Sequence, residues 1–116
     1  MQQKYTDLFA RVERNIGRLA KEAPVPMGQF SALRKNAMRE GALPGKVKEL
    51  IALAIAIADR CEGCVSYHVH DALKAGATRA EIIEVIEVAI MMGGGPSVVF
   101  GSEALEAVDQ FERGHD

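Results

Sequence analysis

Two segments that are apolar around most of a helix constrain the fold of this chain more than any other feature. They are LIALAIAIA (50–58) and EIIEVIEVAIMM (81–92). Neither alternates apolar and polar residues as a half-buried strand would, and both follow a helical period. A helix that is apolar on nearly every side must be covered by neighbours on every side. The chain is therefore predicted to be all-α, with these segments buried, including Met91 and Met92 as core residues.

The remaining long segments also have a helical period. We predict six helices with the approximate bounds 4–22, 27–40, 46–60, 61–75, 79–92 and 96–113. APVP (23–26) is expected to stop the first helix, because proline has no amide to donate. TRAE (78–81) has the pattern of a capping box, and GGGP (93–96) is expected to end the fifth helix.

Composition restricts the class of protein. A length of 116 residues predicts one domain over 1–116. A net charge of −2 and the absence of a long basic cluster argue against nucleic-acid or anionic-membrane partners. Its longest apolar run is too short to span a bilayer. We therefore expect a cytoplasmic protein, where a C-x-x-C pair is typical of catalysis or metal binding rather than of a structural disulfide.

The two apolar helices also predict self-association. A six-helix domain of this size has few layers with which to cover them. A homo-oligomer would supply the missing neighbours, and we expect the protein to be an obligate one.

The segment CEGCVSYHVH (61–70) holds both cysteines and two of the three histidines. At about 100° per residue, Cys61, Cys64 and His68 would share one helix face, whereas His70 would point to the opposite side. Thiols near a helix N-terminus are favoured as thiolates, and a histidine one turn further on can accept a proton. These residues are candidates for a base-activated thiolate with a second, resolving thiol.

Glu49 is the candidate partner of His68. If the third and fourth helices form an antiparallel hairpin that turns at 60–61, the two residues would be offset by about 5 Å along it. A carboxylate at that position could orient the imidazole and stabilise its protonated form.

The residues alone leave several alternatives open. Zinc could be bound by Cys61, Cys64, His68 and Glu49, although structural zinc sites usually include a second Cys/His pair. The cysteines could instead be buried core residues. The pair could also serve a non-catalytic redox-sensing or stress-response module that is oxidised once and does not turn over. Helix geometry does not decide which thiol reacts first.

With these residues in view, the sequence resembles the carboxymuconolactone decarboxylase and alkylhydroperoxidase D superfamily, specifically its small single-repeat members with cysteines. The resemblance covers a core of about 25–110 and rests on the pattern E-x11-C-x2-C-x3-H, which places Glu49, Cys61, Cys64 and His68 in order.

The resemblance implies an all-helical trimer or hexamer that acts as a thiol-dependent peroxidase or disulfide reductase in antioxidant defence. In the alkylhydroperoxidase D branch Cys64 would be the peroxidatic cysteine and Cys61 the resolving one. His68 and Glu49 would form the proton relay. The substrate would be hydrogen peroxide or an alkyl hydroperoxide. No tightly bound cofactor or metal is implied, and the reductant would be a dihydrolipoyl group on a partner protein.

The sequence departs from that branch in two respects. Gly63 occupies the position where a histidine often precedes the second cysteine, and the chain is long enough for one helical repeat rather than two. The decarboxylase branch generally lacks the C-x-x-C pair. A decarboxylase-like enzyme without peroxidase activity therefore stays as an alternative that fits less well.

Overall fold

The computed structural model of the protein describes residues 3–114, which form six α-helices and no strand. The helices are α1 (Lys4–Glu22), α2 (Pro24–Ala37), α3 (Gly45–Ala58), α4 (Glu62–Lys74), α5 (Arg79–Gly93) and α6 (Gly95–Gly114). The all-α prediction is confirmed. None of these helices is long and apolar enough to cross a membrane.

The bounds of the second helix were predicted wrongly. It begins at Pro24 rather than near residue 27, and it ends at Ala37 rather than near residue 40. Proline is well suited to the first turn of a helix, because its fixed φ is helical and the amide it lacks has no partner there. APVP thus begins α2, and Ala23 alone separates it from α1.

The core lies among α3, α4, α5 and α6, which pack against one another. Its fully buried aliphatic side chains include Leu53, Ile57, Val65, Val69 and Ile82. Three residues connect α3 to α4, with Arg60 in the left-handed conformation (φ 57°). This short turn reverses the chain, so that α3 and α4 form the predicted hairpin.

The first turn of α1 is fastened to this core by hydrogen bonds. Tyr5 is 1% exposed, and its amide donates to the side chain of Gln110 at 2.6 Å. Its carbonyl accepts from the hydroxyl of Ser66 at 2.6 Å, and its own hydroxyl donates to Glu103 at 2.6 Å. The three polar partners satisfy a buried helix end that would otherwise carry unpaired groups.

The predicted turn chemistry at both ends of α5 is present. Thr78 and Glu81 form the reciprocal capping box, each side chain bonding the other residue's amide. Gly94 alone separates α5 from α6 and has a φ of 71°, which favours glycine. A side chain at Gly93 would collide with the buried Ser97, so this turn also brings two backbones close together.

Part of the apolar surface of α3 and α5 is not covered within the chain. Met91 and Met92 are 71% and 75% exposed, so their prediction as core residues was wrong for the single chain. Ile51 and Val88 are also exposed and line one groove between α3 and α5. Within the described residues α3 packs against α4, α5 and α6, and α5 against α3 and α6, and these neighbours leave part of the apolar surface exposed.

Candidate functional site

The two cysteines lie at the start of α4 and form a disulfide, with Cα atoms 5.2 Å apart. Cys61 is the N-cap residue rather than part of the helix, as its extended backbone shows (φ −109°, ψ 100°). Its sulfur accepts the backbone amide of Cys64 at 3.2 Å. After reduction, a thiolate at Cys61 would therefore be held by the unpaired amides of the helix end.

Cys64 differs from Cys61 in its surroundings. It is exposed, whereas Cys61 is half-buried. Cys64 also lines a cavity together with His68, one turn further along α4. The sulfur better placed to meet a substrate and the sulfur better placed as a stabilised thiolate thus belong to different residues.

The hairpin brings Glu49 and His68 together as the sequence predicted. Glu49 Oε1 lies 3.5 Å from His68 Nδ1, and the two side chains are only 15% and 22% exposed. Both of these atoms are buried, and neither has a hydrogen-bond partner. A small movement, or a proton arriving on the imidazole, would convert this close approach into a charge-assisted hydrogen bond.

The sequence did not predict the polar side chains that lie next to Glu49 and His68. Arg34 of α2 donates to the Tyr67 hydroxyl at 2.8 Å and to Asp71 Oδ2 at 2.5 Å. Tyr67 and Asp71 lie on either side of His68 along α4. Asp71 follows His68 by one turn, which a search for carboxylates on the histidine face would have found, whereas no local pattern singles out Arg34.

His70 makes its contacts with residues other than Glu49 and His68. Its ring stacks on Phe9, with centroids 4.0 Å apart, and its Nδ1 lies 2.9 Å from Asp71 Oδ1. These contacts give the His70 ring partners of its own, on a side of α4 that the helix arithmetic predicted to lie away from His68.

The cavity beside the disulfide has a volume of about 310 Å³. It is lined by Val12 and Ile16 of α1, Phe30 and Arg34 of α2, and Cys64 and His68 of α4. Its lining is mainly apolar, as is usual for sites that take small organic molecules.

Gly63 contributes to the same wall of the cavity. A β-carbon there would lie 3.3 Å from a methyl group of Val12, which is tight for carbon atoms. Any side chain at position 63 would thus require Val12 of α1 to shift by a few tenths of an ångström.

Three of these residues could hold a cation. Ligand atoms of Glu49, His68 and Asp71 lie within 4.8 Å of one another. The two oxygens of Asp71 are already engaged by Arg34 and His70, and the guanidinium charge opposes a metal ion at that point. The predicted zinc set differs from this one, because it used both cysteines, whose sulfurs are here joined to each other.

Comparison with known proteins identifies the family to which this fold belongs. A sequence model described as the carboxymuconolactone decarboxylase family matches residues 24–107. The chain belongs to this family. An uncharacterised protein of Cupriavidus necator is 41% identical over 107 residues, which cover 90% of this chain and 95% of the relative.

Solved structures of the family share the fold. A carboxymuconolactone decarboxylase family protein from Legionella pneumophila is 40% identical, with a TM-score of 0.91 over 95% of this chain and 98% of that one. A family protein from Thermotoga maritima, for which a part in the antioxidative response has been suggested, is 25% identical, with a TM-score of 0.82 over 90% of both chains. The resemblance inferred from the sequence is confirmed at the level of family and fold.

Proposed function

We propose that the protein is a thiol-dependent peroxidase that takes its electrons from an external dithiol and serves antioxidant defence in the cytoplasm. The observation that carries the proposal is the arrangement at the start of α4. A C-x-x-C disulfide borders a cavity that Cys64 shares with His68, and His68 is backed by Glu49. The suggested antioxidative role of the Thermotoga maritima protein points in the same direction.

The first half-reaction oxidises Cys64. His68 accepts the thiol proton, and the thiolate attacks the O–O bond of a hydroperoxide. Cys64 becomes a sulfenic acid, and the second oxygen leaves as an alcohol after taking the proton back from His68. Glu49 stabilises the imidazolium that exists between these two proton transfers.

The second half-reaction restores the thiols. The Cys61 thiol attacks the sulfenic sulfur, which forms the disulfide and releases water. An external dithiol of the dihydrolipoyl type then supplies two electrons and two protons and leaves as its own disulfide. The net reaction converts a hydroperoxide and a dithiol into an alcohol, water and a disulfide.

The charges around the cavity favour a neutral substrate. Arg34 is the one cationic side chain that lines it, and its charge is compensated by Asp71. Glu49 adds a further negative charge nearby. Hydrogen peroxide and alkyl hydroperoxides are neutral near pH 7, so the negative charge beside the cavity would not repel them. The same charge would repel a substrate that carries a carboxylate.

The test combines thiol counting with turnover. The protein is reduced, freed of reductant and mixed with one equivalent of peroxide, after which free thiols are counted. Peroxide loss is then followed with excess dihydrolipoamide. We expect both thiols to disappear together and peroxide to be consumed over many cycles, and the Cys64→Ser variant to consume none.

Other results would contradict the proposal. Thiols that disappear once without turnover, with several dithiols tried, would identify a redox sensor. Thiols that do not react would leave a structural or metal-binding pair, and metal analysis of the freshly purified protein would separate those two cases.

We also propose that a second copy of this chain covers the exposed apolar groove between α3 and α5. The groove carries Ile51 and Val88, and the adjacent Met91 and Met92 extend the apolar surface. Full removal of such a side chain from water is favourable by about 1.5–3 kcal/mol. Sedimentation should give a multiple of 12.5 kDa that falls towards the monomer in Val88→Glu; a concentration-independent monomer would contradict the assembly.

A further inference from the structure

Helix α2 is attached to the rest of the protein by very little apolar burial. None of its residues is buried, and Met27 and Arg34 are the two that are partly covered. Phe30 and Leu33 are 60% and 62% exposed. The helix packs against α1, and no part of its backbone comes close to α3, α4, α5 or α6.

One side chain connects α2 to the bundle. Among the hydrogen bonds and ion pairs of residues 3–114, those of Arg34 are the ones that join α2 to α4. The guanidinium bridges Tyr67 and Asp71, which lie one helical turn apart, and its carbon is 4.8 Å from the centroid of the Tyr67 ring. Because the guanidinium is planar and contacts two acceptors, it fixes both the distance and the orientation of Arg34 relative to α4.

This ion pair differs from an ordinary surface pair in the burial of its carboxylate. Arg34 is 40% exposed but Asp71 only 15%, so the Asp71 carboxylate would be left poorly solvated without its partner. The pair of Arg79 with Asp109, which joins α5 to α6, has no comparably buried carboxylate, since its side chains are 47% and 40% exposed. Ion pairs of that second kind contribute little to stability.

The position of α2 determines the shape of the cavity beside Cys64. Phe30 and Arg34 of α2 and the following Met38 line one part of it, beside the part formed by α1 and facing α4. If α2 moved away from α4, the cavity would lose the apolar wall at Phe30, whereas Cys64, His68 and Glu49 would keep their places in the hairpin.

We infer that Arg34 is a positioning residue that holds α2 against α4 and thereby sets the preference of the site for molecules with an apolar body. It does not touch the reacting atoms, and it acts through the wall that Phe30 completes. The statement about preference between peroxides rests on the proposed peroxidase function, whereas the statement about the wall does not.

The experiment compares Arg34→Met with the control variant Arg79→Met. The control also removes an arginine that is paired with a carboxylate, but Arg79 does not line the cavity. Amide hydrogen exchange is measured in residues 24–37, and binding of 2-phenyl-2-propanol to the oxidised protein is followed by NMR. In Arg34→Met we expect α2 to exchange about tenfold faster and the alcohol to bind about tenfold more weakly, as for loss of one charge-assisted hydrogen bond. Exchange in α3 and α4 should not change, and Arg79→Met should match the wild type.

A third readout applies to catalysis. In Arg34→Met the KM for cumene hydroperoxide should rise about tenfold, and kcat/KM should fall further for cumene hydroperoxide than for hydrogen peroxide, which has no apolar body to contact Phe30. Arg34→Lys, which keeps the charge but not the fork, should fall between wild type and Arg34→Met. Tyr67→Phe removes one of the two acceptors and should show a smaller loosening if Arg34→Met fails to fold.

The outcomes separate this inference from the proposed function. Wild-type exchange in α2 of Arg34→Met, unchanged alcohol binding, or no binding of the alcohol to the wild type would each overturn the inference. Absence of peroxide turnover in the wild type would overturn the proposed function alone, because exchange and alcohol binding need no turnover.

Discussion

The α3–α4 hairpin and helix α2 both face the cavity beside the disulfide, but they are held in place by different forces. The hairpin buries Leu53, Ile57, Val65 and Val69 completely, whereas α2 buries no residue. Packed aliphatic side chains leave Glu49 and His68 little freedom to move apart. We infer that the cavity wall at Phe30 depends instead on the two polar contacts of Arg34. Glu49 and His68 would thus be placed by burial, and that wall by polar contacts.

The largest expected effect is on chemistry within the hairpin. Replacing His68 by alanine removes the base and should slow oxidation of the reduced thiols by peroxide about 10²–10⁴-fold. Stopped-flow measurement of thiol loss gives the rate, and circular dichroism checks that the fold is retained. Glu49→Gln should act in the same direction but more mildly, because the base remains.

His70→Ala is the matched control, because it removes the neighbouring histidine that stacks on Phe9. Its oxidation rate should stay close to that of the wild type. Equal rates in His68→Ala and His70→Ala would show that the hairpin does not supply the base.

A stability comparison tests the two regions directly. Leu53→Ala empties a fully buried site and should lower the free energy of unfolding by about 2–5 kcal/mol. Leu33→Ala changes an exposed position on α2 and should alter it by no more than about 0.5 kcal/mol. Urea unfolding at one protein concentration measures both, since assembly would otherwise shift the values. A cost at Leu33 equal to that at Leu53 would mean that α2 is buried in the functional protein.

A smaller effect than that of Leu53→Ala is expected at the first turn of α1, which Tyr5 connects to the core by hydrogen bonds. Burial, and next the hydrogen bond to Glu103, raise the pKa of Tyr5 far above its ordinary value of 10.0. The unfolded chain would therefore ionise first, so this contribution to stability is complete below about pH 10 and is lost as the pH rises above it. Tyr5→Phe should cost about 1 kcal/mol at pH 8 through the lost hydrogen bond.

The pH dependence gives the sharper measurement. The difference in unfolding free energy between wild type and Tyr5→Phe should shrink from pH 8 to pH 11, because the variant has no hydroxyl to ionise. A difference that stays constant over that range would show that the end of α1 is not held as the structure indicates.

Much of the fold was predictable because its signals are local. Helix periods, the capping box at Thr78 and the glycines that end α5 each act within a few residues. The error at α2 is also local in origin. APVP does end α1, as predicted, but proline in a first turn begins a helix equally well, so α2 starts within APVP rather than after it.

The candidate site was predictable in part. Cys61, Cys64 and His68 are close in sequence, and the hairpin offset connected Glu49 to them through simple geometry. Arg34 could not be found in this way, because its partners are 33 and 37 residues away and its own helix has no distinguishing pattern. The roles of the two cysteines stay predictions, although their surroundings differ as described.

The sequence by itself determined that the chain is helical, that it carries a thiol pair next to a histidine, and that two of its helices are apolar on nearly every side. These properties follow from the period and chemistry of neighbouring residues. Only the tertiary structure decided that Arg34 joins α2 to Tyr67 and Asp71, and that the outer faces of α3 and α5 stay uncovered within the chain. Those outcomes depend on how helices distant in sequence meet, because burial and partner choice belong to the packed molecule and not to any one segment.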